Sequence, residues 1–191
     1  AKGRGKVRSR GVFSIRVYFA HLNRSPAMNP SLNAHRFSPE RALELGRQTL
    51  SIEAAAVAAL QGRLNGEFAR AVELILNCHG RLIVSGMGKS GHIARKIAAT
   101  MASTGTPAYF VHPAEARHGD LGMITRDDVL LALSNSGESG ELLSILPALK
   151  RQGAKIISMT GVPTSTLARE ADIHLDAGVE QEACPQNLAP T

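Results

Sequence analysis

The chain has 191 residues, 43% of them hydrophobic, which suits one ordinary domain with a sizeable core plus an appendage. No apolar run approaches the ~18 residues of a membrane span, and a chain with no Trp and 4% aromatics offers little stacking surface to single-stranded nucleic acid. The net charge of +6 is unevenly placed: seven of the 22 Lys and Arg residues fall in the acid-free stretch 1–27, leaving 15 basic against 16 acidic side chains in the rest.

The basic pI therefore belongs to the arm and not to the globular part. An Arg-rich, acid-free start resembles a transit peptide or a nucleic-acid-binding tail. The plainer reading, preferred here, is that residues 1–37 are a disordered or non-native arm, with Met28 the expected start of the protein proper. Cys78 and Cys184 lie far apart and form no C-x-x-C or zinc-finger spacing. With nothing like a signal peptide, they fit buried thiols in a reducing cytoplasm.

Ser38-Pro39-Glu40 reads as a helix start: a capping hydroxyl, a proline at the first helical position, and an acid facing the dipole. The helix is expected to run to about residue 62, with Leu43, Leu50, Ala54, Val57 and Leu60 on or near one face. A second helix carries Phe68, Ala71, Val72, Ile75 and Leu76 at helical spacing and stops near Gly80. The pattern then alternates. Residues 81–85, 108–112, 129–134, 155–160 and 172–176 read as strands, and 90–103, 139–152 and a short "STLAREA" segment read as helices. Fully apolar strands such as "VLLALS" suit a sheet covered on both faces, and the alternation implies right-handed parallel crossovers. The expected fold is α/β: a three-layer αβα sandwich on a five-stranded parallel sheet, Rossmann-like or flavodoxin-like, spanning residues 38–191.

In an open parallel sheet, ligands bind outside the carboxyl ends of the strands. Three loops lie there: "SGMGKSG" from Ser85, "HPAEARHGDLG" from His112, and "SNSGESGE" from Ser134. The first contains "GKS", yet a P-loop ending at Ser90 needs a glycine where Ile83 stands. Its Gly86, Gly88 and Gly91 fit the dinucleotide fingerprint, but the next strand ends in Val111-His112 rather than in an acid for the ribose hydroxyls. The third loop supplies the hydroxyls of Ser134, Ser136 and Ser139, a flexible Gly137 and a helix N-terminus, with nothing basic. Hydroxyls and backbone N–H groups of this kind suit a single phosphate, although a Ser-rich turn with an N-cap is common without any ligand.

Together, the strand–"SGMGKSG"–helix and strand–"SNSGES"–helix turns resemble the sugar isomerase (SIS) domain. The stretches "GMGKSGHIARKIAATMASTGTPAYFVHPAEARHGDLGMI", "SNSGESGE" and "EACPQNLAPT" are similar to the D-arabinose 5-phosphate isomerase family, over nearly everything from Pro39 to Thr191. The resemblance implies interconversion of D-arabinose 5-phosphate and D-ribulose 5-phosphate through an enediol(ate), feeding synthesis of Kdo, a lipopolysaccharide sugar. It implies catalytic roles for Lys89, Glu141 and Glu182. It implies substrate contacts for Ser85, Gly86, Gly105, Thr106, His112, His118, Ser134, Asn135, Ser136, Gly137 and Ser139.

Read alone, these residues say less. Lys89 at a helix start is mildly unfavourable against the dipole, which favours a functional reason for it. Glu141 could merely complement the dipole of its helix, and Glu182 is indistinguishable from a surface loop residue. His112 is a candidate zinc ligand by resemblance, yet two histidines five residues apart define no metal site. The chemistry requires no metal, so zinc is expected at most as an inhibitor and no cofactor is expected.

Family members continue past "LAPT" into helices with a further catalytic histidine, and most add a regulatory CBS pair. The chain is therefore expected to be a truncated piece that binds phosphosugar yet turns over poorly. The resemblance also implies a homotetramer, with neither nucleic acid nor membrane as partner. Two rival readings are a non-catalytic SIS module that senses a phosphosugar and an NAD-dependent oxidoreductase. The conjunction of Lys89, Glu141 and Glu182, and a segment 1–37 too short for a helix-turn-helix, favour the enzyme over the sensor.

Overall fold

The computed structural model describes residues 38–184; the basic arm and the segment 185–191 lie outside the described residues. The described residues divide into two units between Gln48 and Thr49, within the first helix. Helix α1 spans Pro39–Ala59. It begins as expected, since Ser38 Oγ accepts the Arg41 N–H at 3.2 Å. It gives way to a 3-10 turn at Leu60–Arg63. Asn65 then caps α2, Gly66–Leu76, through Oδ1 and the Glu67 N–H. The stop is Asn77 rather than Gly80, whose N–H instead reaches across to Asp127 O at 2.8 Å.

The remaining elements alternate: β1 Leu82–Gly86, α3 Gly88–Ser103, β2 Ala108–Phe110, α4 Pro113–Arg117, a 3-10 turn Asp120–Met123, β3 Val129–Ser134, α5 Gly140–Gln152, β4 Lys155–Thr160, α6 Thr166–Glu170 and β5 Ile173–Asp176. Helix α4 and the turn after it were expected only as loop. Pro113 starts α4 because a helix's first N–H needs no partner within it. All five strands pair in parallel in the order β2-β1-β3-β4-β5, the flavodoxin-like order.

Strand alternation explains the two cores. Ile83, Leu130, Ala132 and Ile156 point to one face, where α5 buries Leu142, Ile145, Leu146 and Leu149. Leu82, Val84, Val129, Leu131, Leu133 and Ile157 point to the other, against Ala71 of α2 and Ala94 and Ala98 of α3. Neighbouring residues of β1 and β3 are thus both buried, on opposite faces, so these strands read as unbroken apolar runs. The apolar residues expected on one face of α2 divide. Ala71 and Ile75 pack inward, while Phe68, Val72 and Leu76 are exposed.

The amino ends of the strands are tied by carboxylates. Buried Asp128 accepts the N–H groups of Arg81 and Thr125, each at 2.7 Å, joining the start of β1 to the turn before β3. Asp172 accepts the Ile156 N–H at 2.9 Å and pairs with Lys155 at 3.0 Å, joining the starts of β4 and β5. The carboxyl ends are left to the loops.

Candidate functional site

With this strand order, β1 and β3 are neighbours whose connections leave toward opposite faces, and the carboxyl ends of these two strands flank the crevice where such sheets bind ligands. "SGMGKSG" leaves β1 and "SNSGES" leaves β3. The glycines of the first loop bring α3 close to the strand: a Cβ on Gly91 would lie 2.7 Å from Gly86 O. Lys89 is the second residue of α3, exposed at the carboxyl edge of the sheet. Ser85 is buried, and its Oγ donates to Val111 O at 2.7 Å. Its hydroxyl thus fastens the loop that carries His112.

His112 stands at the N-cap of α4, half-buried, its ring edge-on to Phe110 at 6.3 Å between centroids. His118 stands at the C-cap of the same helix and is exposed. Among the described residues no three His, Cys, Asp or Glu side chains come together as a metal ligand set. His112 is thus a single donor, without two more such side chains beside it among the described residues.

The serine turn is internally bonded. Gly137 N–H donates to Ser134 Oγ at 3.1 Å, Ser134 Oγ meets Ser139 Oγ at 2.8 Å, and Glu138 N–H donates to Ser136 Oγ at 3.2 Å. Ser134 and Gly137 are buried, while Asn135 and Ser136 are exposed. Gly137 has a φ of +66°, and a Cβ there would fall 2.0 Å from Ser165 Oγ, so the position is closed to any side chain. Glu141 lies exposed in the first turn of α5. Glu138 is the acid whose state is visibly set: the Thr166 N–H and hydroxyl hold its carboxyl below the usual carboxylate range.

Asn135 and Ser136 open onto a hollow of about 320 Å³ whose other walls are Gly161, Val162, Val179, Glu180 and Glu182. The tail that carries Glu182 is held from behind. Arg63 donates to Gly178 O and lies 3.8 Å from Asp176, whose Oδ1 accepts the Gly178 N–H at 2.9 Å. Glu182 and the serine turn thus share one cavity. The sequence reading missed Gly161, Val162, Val179 and Glu180, although these follow β4 and β5 at the carboxyl end, where the same rule that marked the serine turn points.

Gly105 and Thr106 are not gathered there. They precede β2, at the amino end of the sheet, and line a smaller hollow of about 160 Å³ with Ile75, Leu76, Cys78, Gly80, Leu82 and Pro107. Within one chain they sit at the end opposite to the serine turn.

The family model for the SIS domain matches residues 75–191. The chain belongs to the SIS domain family. This SIS domain is 59% identical over 145 residues to the arabinose 5-phosphate isomerase KdsD of Pseudomonas aeruginosa, covering 76% of this chain and 44% of that protein. It is 59% identical over 148 residues to the KdsD of Yersinia pestis, covering 78% of this chain and 45% of that protein. Among solved structures, the c3406 protein of Escherichia coli CFT073, in complex with arabinose 5-phosphate, superposes with a TM-score of 0.77 at 42% identity, over 81% of this chain and 82% of that one. The chain thus spans less than half the length of the curated relatives it matches. No helix among the described residues is long and apolar enough to cross a membrane.

Proposed function

We propose that this SIS domain is the isomerase domain of an enzyme interconverting D-arabinose 5-phosphate and D-ribulose 5-phosphate, the first step of Kdo synthesis in the cytoplasm. The observation that carries it is the shared cavity. Asn135 and Ser136 of the serine turn and a carboxylate, Glu182, line one hollow, in a chain 59% identical to KdsD relatives.

The chemistry follows from what each group can do. The hydroxyls and N–H groups of 134–139, at the N-terminus of α5, hold the phosphate dianion without a cation. That fixes the sugar's other end near the carboxylates. One carboxylate removes the C2 proton, the enediol(ate) forms, and protonation at C1 gives the ketose. We assign that proton transfer to Glu182, which lines the hollow, with Glu141 serving ring opening and the sugar oxygens. Lys89, across the β1–β3 crevice, supplies positive charge to the developing enediolate oxygen. His112 and His118 contact the sugar hydroxyls. Gly105 and Thr106, which the resemblance also marks, would have to reach substrate from the sheet's other end.

This chemistry asks for no metal, so EDTA treatment is expected to leave turnover unchanged, and added zinc, through His112, to slow it. We also propose that the chain assembles with copies of itself, as a tetramer. Leu50, Val57 and Leu76 are 67–77% exposed, more apolar helical surface than a lone domain usually shows.

The decisive experiment incubates D-arabinose 5-phosphate with this chain, and with a form extended to the relatives' length, and measures the ketose formed. Turnover by either supports the proposal. Absence of turnover by both overturns it; tight phosphosugar binding without turnover then assigns the domain to sensing. A rise in melting temperature with NAD but not with the phosphosugar assigns it to a dinucleotide instead.

A further inference from the structure

The serine turn contains an acid, Glu138, at the place where a phosphate dianion is proposed to bind. A carboxylate facing that dianion would repel it. The structure turns it elsewhere. Glu138 Oε1 accepts the Thr166 N–H at 2.6 Å, from the first residue of α6. Two main-chain bonds run beside it. Leu167 N–H donates to Gly137 O at 3.0 Å, and Gly161 N–H donates to Asn135 O at 2.9 Å. Ser165 presses directly against Gly137, leaving no room for a side chain there.

The turn after β3 is therefore held from outside by the segment that follows β4. Its own internal bonds, between Ser134, Ser136, Gly137 and Ser139, do not reach that segment. Of the side chains in the turn, Glu138 is the one bonded to α6. It thus removes an unhelpful charge from the phosphate's side of the turn and ties the turn to a buried neighbour, Leu167 being fully enclosed.

We propose that Glu138 is a positioning residue for phosphosugar binding: its carboxylate ties the serine turn to α6, and so aims the turn's hydroxyls and N–H groups into the hollow. This rests on the phosphosugar reading above. Glu138 does not touch the substrate; it acts through Gly137 and its neighbours. Because the bond needs only an acceptor oxygen, an amide serves nearly as well as a carboxylate.

The test compares Glu138→Ala with Glu138→Gln. In Glu138→Ala the KM for D-arabinose 5-phosphate is expected to rise roughly tenfold, as losing one hydrogen bond of ordinary strength predicts, with kcat changed less than twofold. Glu138→Gln should restore KM to within about twofold of the parent. Without ligand, amide exchange at Thr166, Leu167 and Gly137 should quicken in Glu138→Ala and not in Glu138→Gln. An unchanged KM in Glu138→Ala overturns the proposal. So does a Glu138→Gln variant as impaired as Glu138→Ala, or a fall in kcat with a matching loss of melting temperature. If the parent chain neither binds nor converts the sugar, the functional reading fails on its own. The exchange measurement then still decides the tie: unaltered protection in Glu138→Ala sinks it, and loss confined to 134–139 and 165–167 upholds it.

Discussion

Glu182 and Glu141 show how little a single residue announces about itself. One sits in an irregular tail and the other in an ordinary first helical turn. Only Glu182 shares a cavity with Asn135 and Ser136. If it is the base, Glu182→Gln should lower kcat by about 10²–10⁴, leaving KM and melting temperature near the parent values. A kcat within threefold of the parent would remove Glu182 from the chemistry. Gly137 makes the opposite case, a residue whose role is entirely steric. Gly137→Ala forces a Cβ to within 2.0 Å of Ser165 Oγ at a φ of +66°. A loss on the order of 1–3 kcal/mol in denaturant titration is expected, with weakened phosphosugar binding. Parent-like stability would mean the turn can relax away from α6. The glycine was legible in the sequence as flexible; that it is instead tightly enclosed was not, because Ser165 lies 28 residues away in sequence.

At the scale of elements, β1, β3 and β4 were legible almost residue for residue, because burial on both faces demands continuous apolar runs bounded by turns. The short α4 and the 3-10 turn after it were not legible, since five residues give no helical period to read. Electrostatics at the strand starts makes a separate prediction. Burial pushes the Asp172 carboxyl up, but the Ile156 N–H and the Lys155 ammonium outweigh it and hold the group below its ordinary value. A depressed carboxylate favours the folded state above the unfolded pKa, about 3.9, and the contribution is lost as pH falls through the lower folded value. Asp172→Asn should therefore melt below the parent at pH 7, with the gap closing as the pH drops under about 4. A gap that stays constant down to pH 2 would show that the ion pair adds nothing to folding.

For the whole molecule, the question is what the exposed apolar side chains of α1 and α2 meet. Helix α1 buries none of its residues within the chain, and Phe68 and Val72 of α2 are 44% and 39% exposed. These two side chains of α2 lie one helical turn apart and outside both cores. The double substitution Phe68→Glu with Val72→Glu should reduce the assembly's mass in sedimentation and leave the circular dichroism spectrum intact. A monomeric parent, or an undiminished assembly, would refute self-association through α2.

By itself the sequence determined the αβα layering, the strand positions and the family, because each depends on local periodicity or on contiguous motifs. The tertiary structure decided which residues meet. Strand order set β1 beside β3 and so put Lys89 and the serine turn on one crevice. The loops after β4 and β5 closed the hollow around Glu182. Parallel pairing put Gly105 and Thr106 at the sheet's other end, since a chain segment before a strand and one after it are separated by the strand's length. Proximity between loops that are far apart in sequence is set by the register of the strands that carry them, and no local pattern encodes it.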